Sequence, residues 1–120
     1  MNKRVLIVDD SRLIRKAVRN LLEECLELEI LGEAANGAEA LALANKSAPD
    51  LVILDLSMPV MNGDDAAKKL KDMLPSTRII LFSQYASEAS QVWSLPVDAV
   101  VAKADTNALL ETVQLLIFPR

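Results

Sequence analysis

The chain has 120 residues, 52% hydrophobic, 25% charged and only 3% aromatic, which is one domain's worth of sequence with an aliphatic core and excludes a disordered chain. Its net charge of −4 argues against non-specific nucleic-acid binding, which needs clustered positive charge. No apolar stretch is long enough to span a membrane, and the N-terminus has no signal-peptide core.

A β-rich run, RVLIV at residues 4–8, opens the chain and ends on Asp9 and Asp10. Ser11 is suited to cap the helix that follows, whose apolar stripe is Ile14, Ala17, Val18, Leu21, Leu22 and Cys25. Arg12, Arg15, Lys16 and Arg19 lie on the same helix and are expected to form a solvated face. Cys25, the only cysteine, is expected to be a small core residue. It permits no internal disulfide and favours a cytoplasmic setting. A weaker strand lies near 28–34, and Asn36-Gly37 punctuates the start of a helix near 38–46. The run LVIL at 51–54 leads straight into Asp55, and Asn62-Gly63 marks the start of a helix near 64–73. RIILF at 78–82 ends on Ser83, and a short helix near 86–94 stops before Pro96. DAVVA at 98–102 ends on Lys103, and a last helix over 106–117 begins with Asp105 or Thr106 as cap and carries Leu109, Leu110, Val113, Leu116 and Ile117.

Strand and helix thus alternate five times. The runs 5–8, 51–54 and 79–82 are continuously apolar, as strands covered on both faces are. This predicts one doubly wound α/β domain over residues 1–120, with a parallel sheet, right-handed crossovers and helices on both sides.

In such sheets ligands bind beyond the carboxyl ends of the strands. Asp9, Asp10, Asp55, Ser83 and Lys103 all fall at that edge, and the three acids converge if the first and third strands are neighbours. Each alone has a plain reading as a helix cap, a loop hydroxyl or a surface charge; together they do not. Three adjacent carboxylates repel and have raised pKa values unless a cation sits among them. A hard cation, Mg²⁺ (or Mn²⁺), fits oxygen donors, and Lys103 supplies a second positive charge on the other side. The chain has no histidine, which removes Ser-His-Asp and Cys-His catalysis and most zinc sites. An ionised aspartate can attack phosphorus, and a metal, a lysine and a hydroxyl would stabilise the transferring group. The rigid buried strand would then serve to hold Asp55 in place.

In LIVDDS, VILDLSMPVMNG, ILFS and DAVVAK, in that order and spacing, the chain resembles the receiver domains of two-component response regulators over essentially its full length. The resemblance implies a flavodoxin-like fold with strand order 2-1-3-4-5 and phosphoryl transfer to Asp55 from a histidine kinase or phosphotransfer protein. It implies Mg²⁺ held directly by Asp10, Asp55 and the backbone carbonyl of Ser57, with Asp9 acting through water. Ser83 and Lys103 would bind the phosphoryl oxygens. The chain would be no conventional enzyme: it would catalyse its own phosphorylation from a donor and its own dephosphorylation. Its changed surface would act on an output domain or protein partner, or on a second copy in a phosphorylation-dependent dimer, with no contact to nucleic acid or membrane.

Two positions depart from the family pattern. Val100 stands where an aromatic switch residue is usual, so switching is expected to be mainly backbone and loop motion. Ala104 follows Lys103 where the family often has a cis proline. Tyr85 and Ser57 flank the path of the hydrolytic water in this family, and Tyr85 is expected to shield the phosphoryl group. Rival readings are weaker. A flavin carrier needs a hydroxyl- and glycine-rich loop where VDDS stands, and dinucleotide binding lacks GxGxxG. An aspartate phosphatase places a second acid two residues after its nucleophile, where Ser57 stands, and a pure interaction module would lack part of the set. The chain stops at FPR after the last helix, so it either docks to a partner alone or is one piece of a longer regulator.

Overall fold

A computed structural model of the chain describes residues 2–84 and 95–118. Its strands are β1 (Lys3–Val8), β2 (Leu28–Ala34), β3 (Leu51–Leu54), β4 (Arg78–Ser83) and β5 (Ala99–Ala102), and its helices α1 (Arg12–Glu23), α2 (Gly37–Ser47), α3 (Gly63–Met73) and α4 (Thr106–Ile117). The strands form one parallel sheet in the order β2-β1-β3-β4-β5. The doubly wound α/β fold expected from the alternation is therefore present, with the expected strand order. The helix expected over 86–94, with Trp93, lies outside the described residues, as does Tyr85. No described helix is long and apolar enough to cross a membrane.

The continuous apolar runs are explained by two cores, one on each face of the sheet. Leu6, Val8, Val52, Leu54, Ile79 and Leu81 point to one face and pack with Ala40 and Ala44 of α2 and Ala66, Ala67 and Leu70 of α3. The alternate residues Val5, Ile7, Leu51, Ile53, Ile80 and Phe82 point to the other and pack with Val18 and Leu22 of α1 and Leu109, Val113 and Ile117 of α4. Burying an aliphatic side chain of this size contributes about 1.5–3 kcal/mol, so the central strands anchor both layers.

Each described helix starts on a side-chain cap. Ser11 accepts from the Ile14 N–H, Asn36 from Glu39, Asn62 from Asp65 and Asp105 from Ala108. Asp105, not Thr106, is the cap of α4. Helix α1 differs from the expected stripe at two places. Its C-cap is Glu24, so Cys25 lies past its end in the turn leading to β2, where the Cys25 N–H donates to Leu22 O at 3.0 Å. Ala17 is exposed, since Val18 and Leu22 suffice to reach the sheet.

Glycine in Asn36-Gly37 and Asn62-Gly63 is needed for close approach. Neither has a positive φ. A Cβ on Gly37 would lie 2.6 Å from Met61 O, and one on Gly63 would lie 2.3 Å from Asp55 O and 2.7 Å from Leu56 Cα. The backbones touch there: Gly37 N–H donates to Met61 O at 3.0 Å and Gly63 N–H to Leu56 O at 2.8 Å. The loop between β3 and α3 is thereby pressed against the end of β3.

Candidate functional site

Strands β1 and β3 pair directly, Val8 opposite Leu54, so Asp9 and Asp55 leave the sheet side by side. The Asp55 N–H donates to Val8 O at 2.9 Å and the Asp9 N–H to Ala34 O at 3.0 Å, extending the ladders as far as the acids themselves. Both carboxylates are buried, Asp9 at 3% and Asp55 at 5% exposure, whereas Asp10 is exposed at the rim. Asp9, Asp10 and Asp55 can each bring a carboxylate oxygen within 4.8 Å of the others.

Lys103 follows β5, and its N–H donates to Ser83 O at 3.1 Å, which fixes the start of its side chain at this edge. Its Nζ lies 2.8 Å from Asp9 Oδ2 and 3.2 Å from Asp55 Oδ1. It therefore bridges two of the acids and does not stand apart from them. Asp9 Oδ1 accepts from the Ser11 N–H at 2.9 Å. A cleft of about 350 Å³ opens over these groups, lined by Asp10, Ser11, Ile14, Asp55, Ser57, Ser83, Gln84 and Lys103. Of the seven described positions singled out from the sequence, five line it, Asp9 lies beneath, bonded to Lys103, and Val100 is not among the lining residues.

Burial pushes the Asp55 carboxyl above its ordinary value, and the neighbouring Asp9 charge adds to this. Lys103 pulls the other way without cancelling them, and Asp10 contributes a further upward push. Burial alone would lower the Lys103 pKa, but its bonds to Asp9 and Asp55 outweigh that and hold it raised. The lysine is thus firmly charged, while the acids stay under-compensated: three carboxylates face one ammonium.

Val100 pairs with Leu81 on β4 and is half-buried against the α2–α3 core. No described peptide bond is cis, so Lys103–Ala104 is trans. The expected solvated basic face of α1 is only half realised. Arg12 and Lys16 are exposed, but Arg15 and Arg19 turn to Glu33 on β2, with Nε–Oε distances of 3.0 Å and 2.7 Å. Sequence reading missed this pairing because Glu33 is distant along the chain. It also missed the role of Gly63 beneath Asp55. The Asn-Gly pair is visible in the sequence, but the backbone approach that demands it is not.

A family model of the response regulator receiver domain matches residues 5–114. The chain belongs to that family. It is 38% identical over 96 residues to the uncharacterized transcriptional regulatory protein YhcZ of Bacillus subtilis, covering 80% of this chain and 45% of that protein. It is 43% identical over 91 residues to a protein-glutamate methylesterase/protein-glutamine glutaminase of Desulfotalea psychrophila, covering 76% and 25% respectively. Among solved structures, the REC domain of AraT from Geobacillus stearothermophilus superposes with a TM-score of 0.85 at 34% identity, covering 97% of this chain and 93% of that one. This receiver domain therefore spans less than half the length of the two curated relatives.

The acid cluster of the receiver domain fits a hard divalent cation. All its donors are oxygens, two of them are fixed by burial, and the exposed position of Asp10 leaves room for retained waters.

Proposed function

We propose that this receiver domain is a phosphorylation-driven signalling switch in which Asp55 takes a phosphoryl group from a histidine kinase or phosphotransfer protein. The observation that carries the reading is the meeting of Asp9, Asp10, Asp55 and Lys103 at one sheet edge, with Asp55 buried and its charge under-compensated. A carboxylate oxygen of Asp55 attacks phosphorus in line. A P–O bond forms, the donor's P–N bond breaks, and the leaving imidazole keeps or gains a proton from solvent. Lys103 exchanges a carboxylate contact for a phosphoryl oxygen, and Ser83 donates its hydroxyl to another. Asp10, Asp55 and the Ser57 carbonyl would hold Mg²⁺ or Mn²⁺, with Asp9 acting through water. When bound, the cation would neutralise charge on the transferring group. Because Lys103 already joins β5 to β1 and β3, a change in its partners is transmitted directly to β5 and α4. The resulting surface acts on an output domain or a separate protein in the cytoplasm.

Incubation with acetyl phosphate and Mg²⁺ should raise the intact mass by one phosphoryl group, and the product should be hydroxylamine-labile. Uptake that persists in Asp55→Asn, or that is unaffected by removing the divalent cation with a chelator, would overturn the assignment.

A further inference from the structure

The basic residues of α1 divide into two classes, and one of them reaches the site. Arg15 is half-buried, with its side chain 15% exposed, and it makes two bonds at once. Its Nε donates to Glu33 Oε1 at 3.0 Å, and its Nη1 donates to the main-chain carbonyl of Asp9 at 2.6 Å. Glu33 is in turn held from the other side by Arg19 at 2.7 Å. The Arg19 bond, with further help from Arg15, keeps the Glu33 carboxyl below its ordinary value despite some burial. The carbonyl of Asp9 lies just past the last paired residue of β1, Val8, and belongs to the peptide that joins Asp9 to Asp10. A planar peptide held at its oxygen has its orientation set, and Asp10 projects from the next Cα. Arg15 itself does not line the cleft.

We propose that Arg15 is a positioning residue of the site: clamped by Glu33, it fixes the Asp9–Asp10 peptide and so aims the exposed Asp10 carboxylate into the cleft. The inference rests on the reading of Asp10 as a cation ligand. Asp9 is restrained by Ser11 and Lys103, whereas Asp10 is exposed, so the backbone is where its direction is set. Supporting groups around metal ligands are worth about 10–100-fold in affinity.

The sign of the effect separates positioning from simple electrostatics. Removing a cation near a divalent-ion site should tighten binding if charge alone matters; loss of positioning should weaken it. Mg²⁺ titrations followed by amide shifts at Asp10 and Asp55 should show affinity lowered about tenfold in Arg15→Met. Arg15→Lys keeps the charge but cannot hold both partners in the same fork, and should also weaken binding. Arg19→Met, which leaves the bond to Asp9 O in place, should bind nearly as wild type does. In metal-free protein the order parameter of the Asp10 amide should fall in Arg15→Met and Arg15→Lys but not in Arg19→Met. Equal or tighter Mg²⁺ binding in both Arg15 variants overturns the proposal. If wild type itself takes up no Mg²⁺, the ligand reading of Asp10 fails, and the Asp10 order parameter decides on its own: an unchanged value in the Arg15 variants sinks the strut.

Discussion

Two aspartates at opposite ends of the sheet, Asp55 and Asp98, show what the same residue does in two environments. Asp98 precedes β5 at the amino-terminal end. It receives Lys71 Nζ at 2.8 Å, Arg78 Nη1 at 3.2 Å and the Ile79 N–H at 2.8 Å. Burial would raise its pKa, but the Lys71 bond, the Ile79 N–H and the Arg78 contact outweigh that and leave it lowered. Asp55, at the carboxyl-terminal end, shares one lysine with Asp9 and is raised. The first end is electrostatically complete and contributes stability. The second carries unbalanced negative charge, and further cationic partners would complete it. A carboxylate at the sheet edge is therefore electrostatically satisfied or left under-compensated according to its partners.

The sharpest way to break the under-compensated end is through its backbone. Gly63→Ala forces a Cβ against Asp55 O and Leu56 Cα, atoms that cannot swing aside. We expect a loss of about 3 kcal/mol in urea denaturation, at the upper end for overpacking, together with slower uptake of phosphate from acetyl phosphate. Gly32, on β2, has nothing within 4 Å of its would-be Cβ, so Gly32→Ala should change stability by less than about 0.5 kcal/mol. Similar losses in the two variants would refute the close-approach account.

At the complete end, Asp98→Ala leaves Lys71 and the Ile79 N–H without their carboxylate and should cost about 2 kcal/mol at pH 7. Its folded pKa is lowered, so its contribution is fully present above the unfolded value near 3.8 and is lost as pH falls through the folded value. Wild type and Asp98→Ala should therefore converge in stability in strong acid. A difference that stays constant from pH 7 to pH 2 would show that packing, not charge, made the contribution. Asp55→Asn should do the reverse. It removes a buried charge that the fold disfavours, so its Tm in chelator at pH 7 should exceed that of wild type. Added Mg²⁺ should raise the wild-type Tm more than that of the variant. A lower Tm for Asp55→Asn in chelator would mean that the Lys103 pair outweighs burial and repulsion.

How much of this contrast can be read from sequence depends on whether a feature is local. The runs 5–8, 51–54 and 79–82 declare two covered faces by their unbroken apolarity, and Asp9, Asp10, Asp55, Ser83 and Lys103 declare one edge by their place after each strand. The neighbour relation of β1 and β3 came from family resemblance, not from the pattern. The long-range pairs were invisible: Arg15 with Glu33, Lys71 with Asp98, and Gly63 beneath Asp55 join residues that no periodicity links. Lys103 was expected opposite the acids, yet it lies between Asp9 and Asp55, because an uncompensated buried pair draws in the nearest cation. The expected α1 stripe includes Ala17, which faces solvent because a small side chain gives no signal of which side it takes, and Cys25, which lies past the end of the helix because α1 closes at Glu24.

The smallest expected effect concerns the same under-compensated end. In the loop after β3, Val60 has a φ of 68°, and the Met61 N–H closes back on Pro59 O at 2.7 Å. A β-branched residue is poorly suited to this region, and such conformations cost about 1–3 kcal/mol each. The residue is 84% exposed, so replacing its side chain forfeits little packing. Asparagine tolerates the left-handed region. Val60→Asn should therefore raise stability by about 1 kcal/mol, whereas Val60→Thr, still β-branched, should not. The strain sits in the loop that runs from Asp55 to Gly63, while no described residue beside Asp98 has a positive φ. If Val60→Asn is stabilised and takes up phosphate at the wild-type rate, the strain is incidental to the site. If stability rises while uptake slows, the strained turn helps set the loop for reaction. No gain in stability at all would remove strain at Val60 from the contrast between the two ends.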